Sequence, residues 1–333
     1  MSVRLALAFA ILASCVYGPS AGGPEEPDEA PRAATAESML PRGAHLLAEF
    51  HVDRLRKTKV GRTIGRLLDR DDDVMPELRR AEFDPLREIR RVLLAARFDQ
   101  QHDGDAWFVA LADHRLDRAR ADRVTDLMLQ ADGGGPIRRE VIGGREIRRV
   151  PDEDVPAAIV VRPGLVALVA QRMLPTFLRD VDGRGTPDAL AKTFRQALRR
   201  PPVRGRPFVT LVAEVPPGVV ELDDFDDFAV VENLPEPAGL SLWASLSRGL
   251  EVVAHARYAT PADARSAGDE ARRAVSLEDA ETRQAVATLG LLPIFRGIRV
   301  RTEGTRVELT MRLAQRDLDD LLARLELLAQ EDD

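Results

Sequence analysis

From Gly43 onward the chain alternates short apolar runs with polar turns, in the period-two rhythm of half-buried strands. Arg91–Phe98 and Ala106–Ala112 flank the polar loop Asp99–Asp105. Ile137–Ile142 and Arg145–Val150 flank Gly143-Gly144, and both glycines tolerate the positive φ that a two-residue hairpin turn demands. Ala157–Val161 and Leu165–Ala170 flank Arg162-Pro163-Gly164. Later, Leu240–Ser247 and Leu250–Tyr258 flank Arg248-Gly249, and Ile298–Arg301 and Arg306–Leu313 flank Glu303-Gly304. So many hairpin signals predict a mainly antiparallel sheet.

Helical periodicity fills the intervals. Asp117 can cap a helix over Arg118–Gln130 whose Ala121, Val124, Leu127 and Met128 form one stripe. Thr260 can cap a second, with Pro261 at its first position and Ala264, Ala267, Ala271, Ala274 and Val275 inward. Leu318, Leu321, Leu322, Leu325 and Leu328 predict a C-terminal helix, and Val60, Ile64, Leu67 and Leu68 one over Leu55–Leu68. The expected class is therefore α+β, as two similar lobes of mainly antiparallel sheet with packed helices.

The two halves repeat one order. Leu46–Val52, hairpin 91–112, helix 118–130 and hairpin 137–150 parallel Phe208–Val215, hairpin 240–258, helix 261–275 and hairpin 298–313, at an offset of about 150–160 residues. The expected divisions are 1–14 as a signal peptide, 15–42 as a tether, 43–198 as a first lobe, 199–207 as an Arg/Pro linker kept in solvent by its charge, and 208–329 as a second lobe.

Composition limits the function classes. The chain of 333 residues has 48 basic and 55 acidic residues, a net charge of −7, which argues against a nucleic-acid partner. At the N-terminus Arg4 precedes the apolar run Leu5–Ala13. That run is far short of the roughly 20 residues a transmembrane helix needs, and it fits a signal-peptide core. It ends in Leu12-Ala13-Ser14-Cys15, and Cys15 is the single cysteine.

This segment resembles the lipobox of bacterial lipoprotein precursors: an aliphatic residue, two small residues and cysteine. The resemblance implies cleavage between Ser14 and Cys15, lipid attached to the Cys15 thiol and acylation of the new amino group. Two or three acyl chains hold a protein on a bilayer where one does not. Val16 follows where an aspartate favours the inner membrane in this family, so the resemblance implies a lipid-anchored envelope protein, with the outer membrane favoured. The segment from Val16 to Pro41, rich in proline and alanine, has no periodicity and reads as a semi-extended tether. The body is similar in style to uncharacterised duplicated α+β lipoproteins of high-GC bacteria, a likeness that implies no activity.

Sites of chemistry are sparse in the sequence. No nucleophile elbow, phosphate loop, dinucleotide fingerprint or zinc-protease helix occurs, and the histidines His45, His51, His102, His114 and His255 lack metal-ligand spacing. No cofactor and no catalytic set is expected. Asp99–Asp105 lacks the bidentate glutamate of a calcium loop, and Asp69–Asp73 and Asp223–Asp227 read as solvated acidic loops. Lys192, Arg195, Arg199, Arg200, Arg204 and Arg206 form the one basic run that could meet an anionic surface. Trp107 and Trp243 are expected in cores, and His255 as an ordinary strand residue. The leading expectation is a tethered envelope lipoprotein with a structural, scaffold or protein-binding role, its partner an unknown envelope protein. A ligand-binding lipoprotein with a cleft between lobes is the alternative, and a hydrolase working through carboxylates a remote one.

Overall fold

The computed structural model describes residues 39–68, 75–97, 106–133, 135–181, 188–216, 235–277, 280–288 and 291–331. Cys15 with the expected signal segment, most of the expected tether, the loop Asp99–Asp105 and the two acidic stretches lie outside them. The described residues divide into two compact units, one ending at Ala191 and the other starting at Lys192.

The first unit contains β1 (Leu46–Phe50), α1 (Lys59–Leu68), α2 (Met75–Arg80), α3 (Pro85–Glu88), β2 (Ile89–Arg97), β3 (Trp107–His114), α4 (Arg118–Gly133), β4 (Arg138–Ile142), β5 (Arg145–Arg149), β6 (Ala157–Arg162), β7 (Leu165–Val169) and α5 (Leu174–Arg179). The division falls within α6 (Ala189–Arg199). The second unit continues with β8 (Val209–Glu214), β9 (Gly239–Ser245), β10 (Gly249–Arg257), α7 (Pro261–Ser276), α8 (Ala280–Thr288), α9 (Leu292–Gly297), β11 (Ile298–Glu303), β12 (Arg306–Ala314) and α10 (Gln315–Glu331). The class is α+β, and every assigned pairing within the two units is antiparallel.

Strands of the first unit run in the order β1-β2-β3-β7-β6-β5-β4, and those of the second β8-β9-β10-β12-β11. The shared pattern is a strand, a hairpin and then a later hairpin whose second strand lies against the first. The counterpart of β11–β12 is therefore β6–β7, and not the hairpin 137–150 that sequence order alone puts there. The reason is burial. Alternate residues on both faces of β3 are covered, Val109 and Leu111 on one and Ala110 on the other, so its neighbour must be apolar throughout. β7 (LVALV) meets that condition; β4 (RREVI) does not. β4–β5 instead forms an added hairpin at the edge, turning on Gly143 and Gly144 at φ +59° and +77°.

Local signals explain the helices. Asp117 Oδ1 accepts the Arg120 amide at 2.9 Å and caps α4. Thr260 Oγ1 accepts that of Asp263 at 3.1 Å and caps α7. α1 begins at Lys59 and not at Leu55, because Thr58 takes the capping role: its Oγ1 accepts the Gly61 amide at 3.1 Å and donates to the Leu55 carbonyl at 2.8 Å. In the first unit α2, α3 and α4 cover β2 through Leu78, Phe83, Ile89, Val92 and Val124. In the second, Ala264 and Ala267 bring α7 close over Val300 and Val307.

The Arg/Pro segment is another departure. Val203 is buried, the Arg204 amide donates to Glu251 Oε2 at 2.7 Å, and the Arg204 carbonyl accepts from Ser245 Oγ at 2.8 Å. Charge on its side chains does not keep this backbone in solvent. The apolar Val203 and the hairpin β9–β10 fix it as part of the second unit.

Candidate ligand-binding site in the first unit

Period two along β3 sets Ala110, Ala112 and His114 on the face beneath α4. Two of these are alanines, as is Ala121 above them, and their short side chains leave part of the space between helix and sheet unfilled. A chamber of about 60 Å³ remains, walled by Phe83, Leu116, Val124, Met128 and Leu168 and bounded by His114. It shares His114, Leu116, Ala121, Thr125 and Val166 with a neighbouring vestibule of about 470 Å³. The vestibule runs outward along Asp117, Arg118 and Asp122 of the α4 start, Val141, Arg145 and Glu146 of the edge hairpin, and Arg162 to Gly164. Its volume lies within the range of roughly 300–1,000 Å³ typical of small-molecule sites.

His114 stands where the two spaces meet. It is 7% exposed, and its ring Nδ1 is buried with no hydrogen-bond partner. Its backbone is fixed: the amide donates to the Gly164 carbonyl at 2.8 Å. Gly164 has φ +76°, and a Cβ there would lie 3.2 Å from the His114 carbonyl oxygen. Burial lowers the His114 pKa below the ordinary imidazole value, against the charge of Asp113 and with that of Arg90, so the ring is neutral at pH 7. A buried polar nitrogen left unpaired is costly, and such atoms tend to mark ligand or water positions.

A buried cation holds one vestibule wall. Arg148 of β5 is 1% exposed. Its Nη2 donates to Asp122 Oδ1 at 2.5 Å and to Glu146 Oε1 at 2.6 Å, and its Nη1 to Asp126 Oδ1 at 3.1 Å and the Asp122 carbonyl at 2.9 Å. Asp122 and Asp126 are four residues apart on α4, so one guanidinium fork reaches both. Arg118 completes the cluster by donating to Glu146 Oε2 at 3.1 Å. The hydrogen bond from Arg148 holds Glu146 below the ordinary carboxylate range, more than burial raises it.

Two buried carboxylates behave like the half-buried Glu146. Burial raises Glu49, but the hydrogen bond and charge of His51 and the charge of Arg91 outweigh it. Glu251 is likewise pushed up by burial and brought lower overall by the Arg204 amide and Arg312. None of these three is the raised carboxyl of an acid catalyst. Each has a folded pKa below its unfolded value, so its stabilising contribution is complete above the ordinary value of 4.5 and is lost as pH falls through the lowered one. Urea unfolding followed from about pH 7 to about pH 3 should show stability falling on the acid side, less steeply in Glu49→Gln. An acid limb of equal slope in that variant would contradict the assignment.

The residues singled out by sequence lie elsewhere. Lys192, Arg195 and Arg199 share a face of α6 at helical spacing, Arg200 follows the helix, and Arg204 and Arg206 sit on the segment tied to β9–β10. Trp107 and Trp243 are both buried, as expected, although Trp107 opens the second strand of its hairpin and Trp243 lies in the first of its own. His255 Nε2 lies 3.1 Å from Glu308 Oε2, and its ring meets Trp243 edge-on at 5.1 Å. His114 and Arg148 carried no motif. The legible signals were the small residues facing His114 across the chamber and the paired acids of α4. Among the described residues no group of three His, Cys, Asp or Glu is placed to hold a metal ion, and no helix is long and apolar enough to cross a membrane.

No family model matches the chain, and no curated protein matches it significantly. Among solved structures it is similar to one titled "Structure of crystal form I of TP0453", at 10% identity, covering 89% of this chain and 98% of that one, with a TM-score of 0.47.

Proposed function

We propose that this protein is an envelope lipoprotein, anchored through acylated Cys15 and favouring the outer membrane, whose first unit binds a small molecule in the chamber and vestibule beneath α4. The observation that carries the binding role is His114, whose unpaired Nδ1 lies at the junction of an apolar chamber and a vestibule of about 470 Å³. The walls are formed before any ligand arrives: α4 is capped, Arg148 ties it to β5, and Gly164 locks the turn against His114. Preorganisation of this kind removes much of the entropic cost of binding.

The test is titration with a neutral fluorescent probe, phenylnaphthylamine, in the intact protein and in Val166→Trp. Val166 borders both spaces, and an indole there intrudes on them. Binding should weaken at least about tenfold in the variant, a loss of roughly 1.4 kcal/mol, since the indole takes up space in both cavities that Val166 borders. Equal affinity would remove the pocket from consideration. The anchor is tested separately, by the intact mass of the mature protein from native membranes beside Cys15→Ala. A lipid-sized mass on Cys15 is expected, and an unmodified thiol would end that part of the proposal.

A protein-binding role rests on a different observation. Val141 is 72% and Ile142 43% exposed on β4, which ends the strand order of its unit. An edge strand with exposed apolar residues can accept an added strand from a partner.

A further inference from the structure

We infer that the ligand is a small amphipathic anion, with a short apolar end in the chamber, a polar atom at His114 and its anionic group beside Arg162 in the vestibule. This rests on the ligand-binding reading above. The chamber sets the first condition. At about 60 Å³, where one water-sized group needs ~10–15 Å³, it has room for only a few small groups, and its lining of Leu116, Val124, Met128 and Leu168 favours an apolar occupant over water. The apolar end is therefore a short chain or the edge of a ring, and the rest of the molecule lies in the larger vestibule.

The second condition is charge. The vestibule contains three carboxylates and three guanidinium groups, but they are not equally committed. Asp117 already accepts the Arg120 amide, Asp122 accepts from Arg148, and Glu146 accepts from both Arg148 and Arg118. A cationic ligand would find Asp122 and Glu146 paired with arginine, and Asp117 occupied as the helix cap. Arg162, by contrast, is exposed and makes no side-chain ion pair among the described residues. An incoming carboxylate or other small anion finds there an uncommitted planar donor, the geometry in which arginine recognises anions best.

His114 supplies the third condition. Its ring is neutral, so it can present either a donor or an acceptor at Nδ1 according to tautomer. A polar atom next to the apolar end of the ligand meets a nitrogen that the protein itself leaves unpaired.

The experiment is calorimetric titration of the whole mature chain with octanoate and with octanol, which differ in charge at the same carbon number. Octanoate should bind more tightly. Arg162→Gln should weaken octanoate by about tenfold, the loss of one charge-assisted contact, and leave octanol within about twofold. Because Arg162 is exposed, its melting temperature should not change, and the comparison does not depend on a variant that fails to fold. Octanol binding as tightly as octanoate, or octanoate binding unaltered by Arg162→Gln, would overturn the anion assignment while leaving the pocket in place. If phenylnaphthylamine binds and neither octyl compound does, the assignment of ligand size and class is overturned. If none of the three binds, the ligand-binding reading falls with it.

Discussion

Replacing Arg148 with methionine is expected to lower the unfolding free energy of the first unit by about 3–5 kcal/mol. The substitution keeps much of the side-chain volume and removes the cation, so Asp122 loses its ion-pair partner, while Glu146 keeps Arg118 and Asp126 keeps Arg139. These carboxylates retain some contact with solvent, which lets part of the repulsion relax and favours the lower half of that range. The molecule provides its own local reporter, since Trp107 lies in the first unit and Trp243 in the second, and there is no third tryptophan. Urea unfolding followed by fluorescence in a Trp243→Phe background reads Trp107 alone. Neutralising the acids as well, with Asp122→Asn, Asp126→Asn and Glu146→Gln, should recover part of the loss, because the penalty belongs to the stranded charges. A loss below about 1 kcal/mol would mean that the cluster is no more than a solvated surface pair.

Trp243→Ala is expected to cost the second unit about 3–5 kcal/mol. The indole is 5% exposed, stands opposite Thr210 and Val253 on the neighbouring strands, and meets His255 edge-on. Its Nε1 also donates to the Ala197 carbonyl at 3.1 Å, binding the last turn of α6 to β9. Alanine removes the packing and leaves that carbonyl without its partner. Trp243→Phe keeps most of the packing and should cost about 1–3 kcal/mol, close to the penalty for one buried polar group left unmet. The two variants, compared by circular dichroism in urea, separate the terms. Equal destabilisation by both would show that packing of the larger ring contributes nothing.

How far the fold could be read from the sequence depended on the range of each interaction. Hairpins and helix caps are local: Gly143-Gly144 set a turn, Asp117 and Thr260 set helix starts, and the alternation between them set the strands. The position of β7 beside β3 is not local. It follows from the need of a strand covered on both faces for an apolar neighbour, and two hairpins compete for the place in the sequence. The segment 199–207 misled for a related reason, since proline and arginine dominate its composition while the single Val203 decides its burial. In the candidate site, Arg148 sits in a run of arginines and glutamates that reads as exposed edge. Only Asp122 and Asp126, one helical turn apart on a neighbouring element, mark it as the buried one. The chamber is made by alanines, and a small side chain signals space only when the opposing surface is known.

The added hairpin has a consequence for how such a protein can change over evolutionary time. Both units share a five-strand order, and Arg138–Arg149 is outside it. Yet Val141, Gly144, Arg145 and Glu146, all from this hairpin, form one side of the vestibule. On the proposed binding role, recognition draws on a hairpin that lies outside the strand order the two units share. Mutations in the hairpin alter the vestibule wall while the shared strand order, fixed by apolar pairing further in, goes on folding as before.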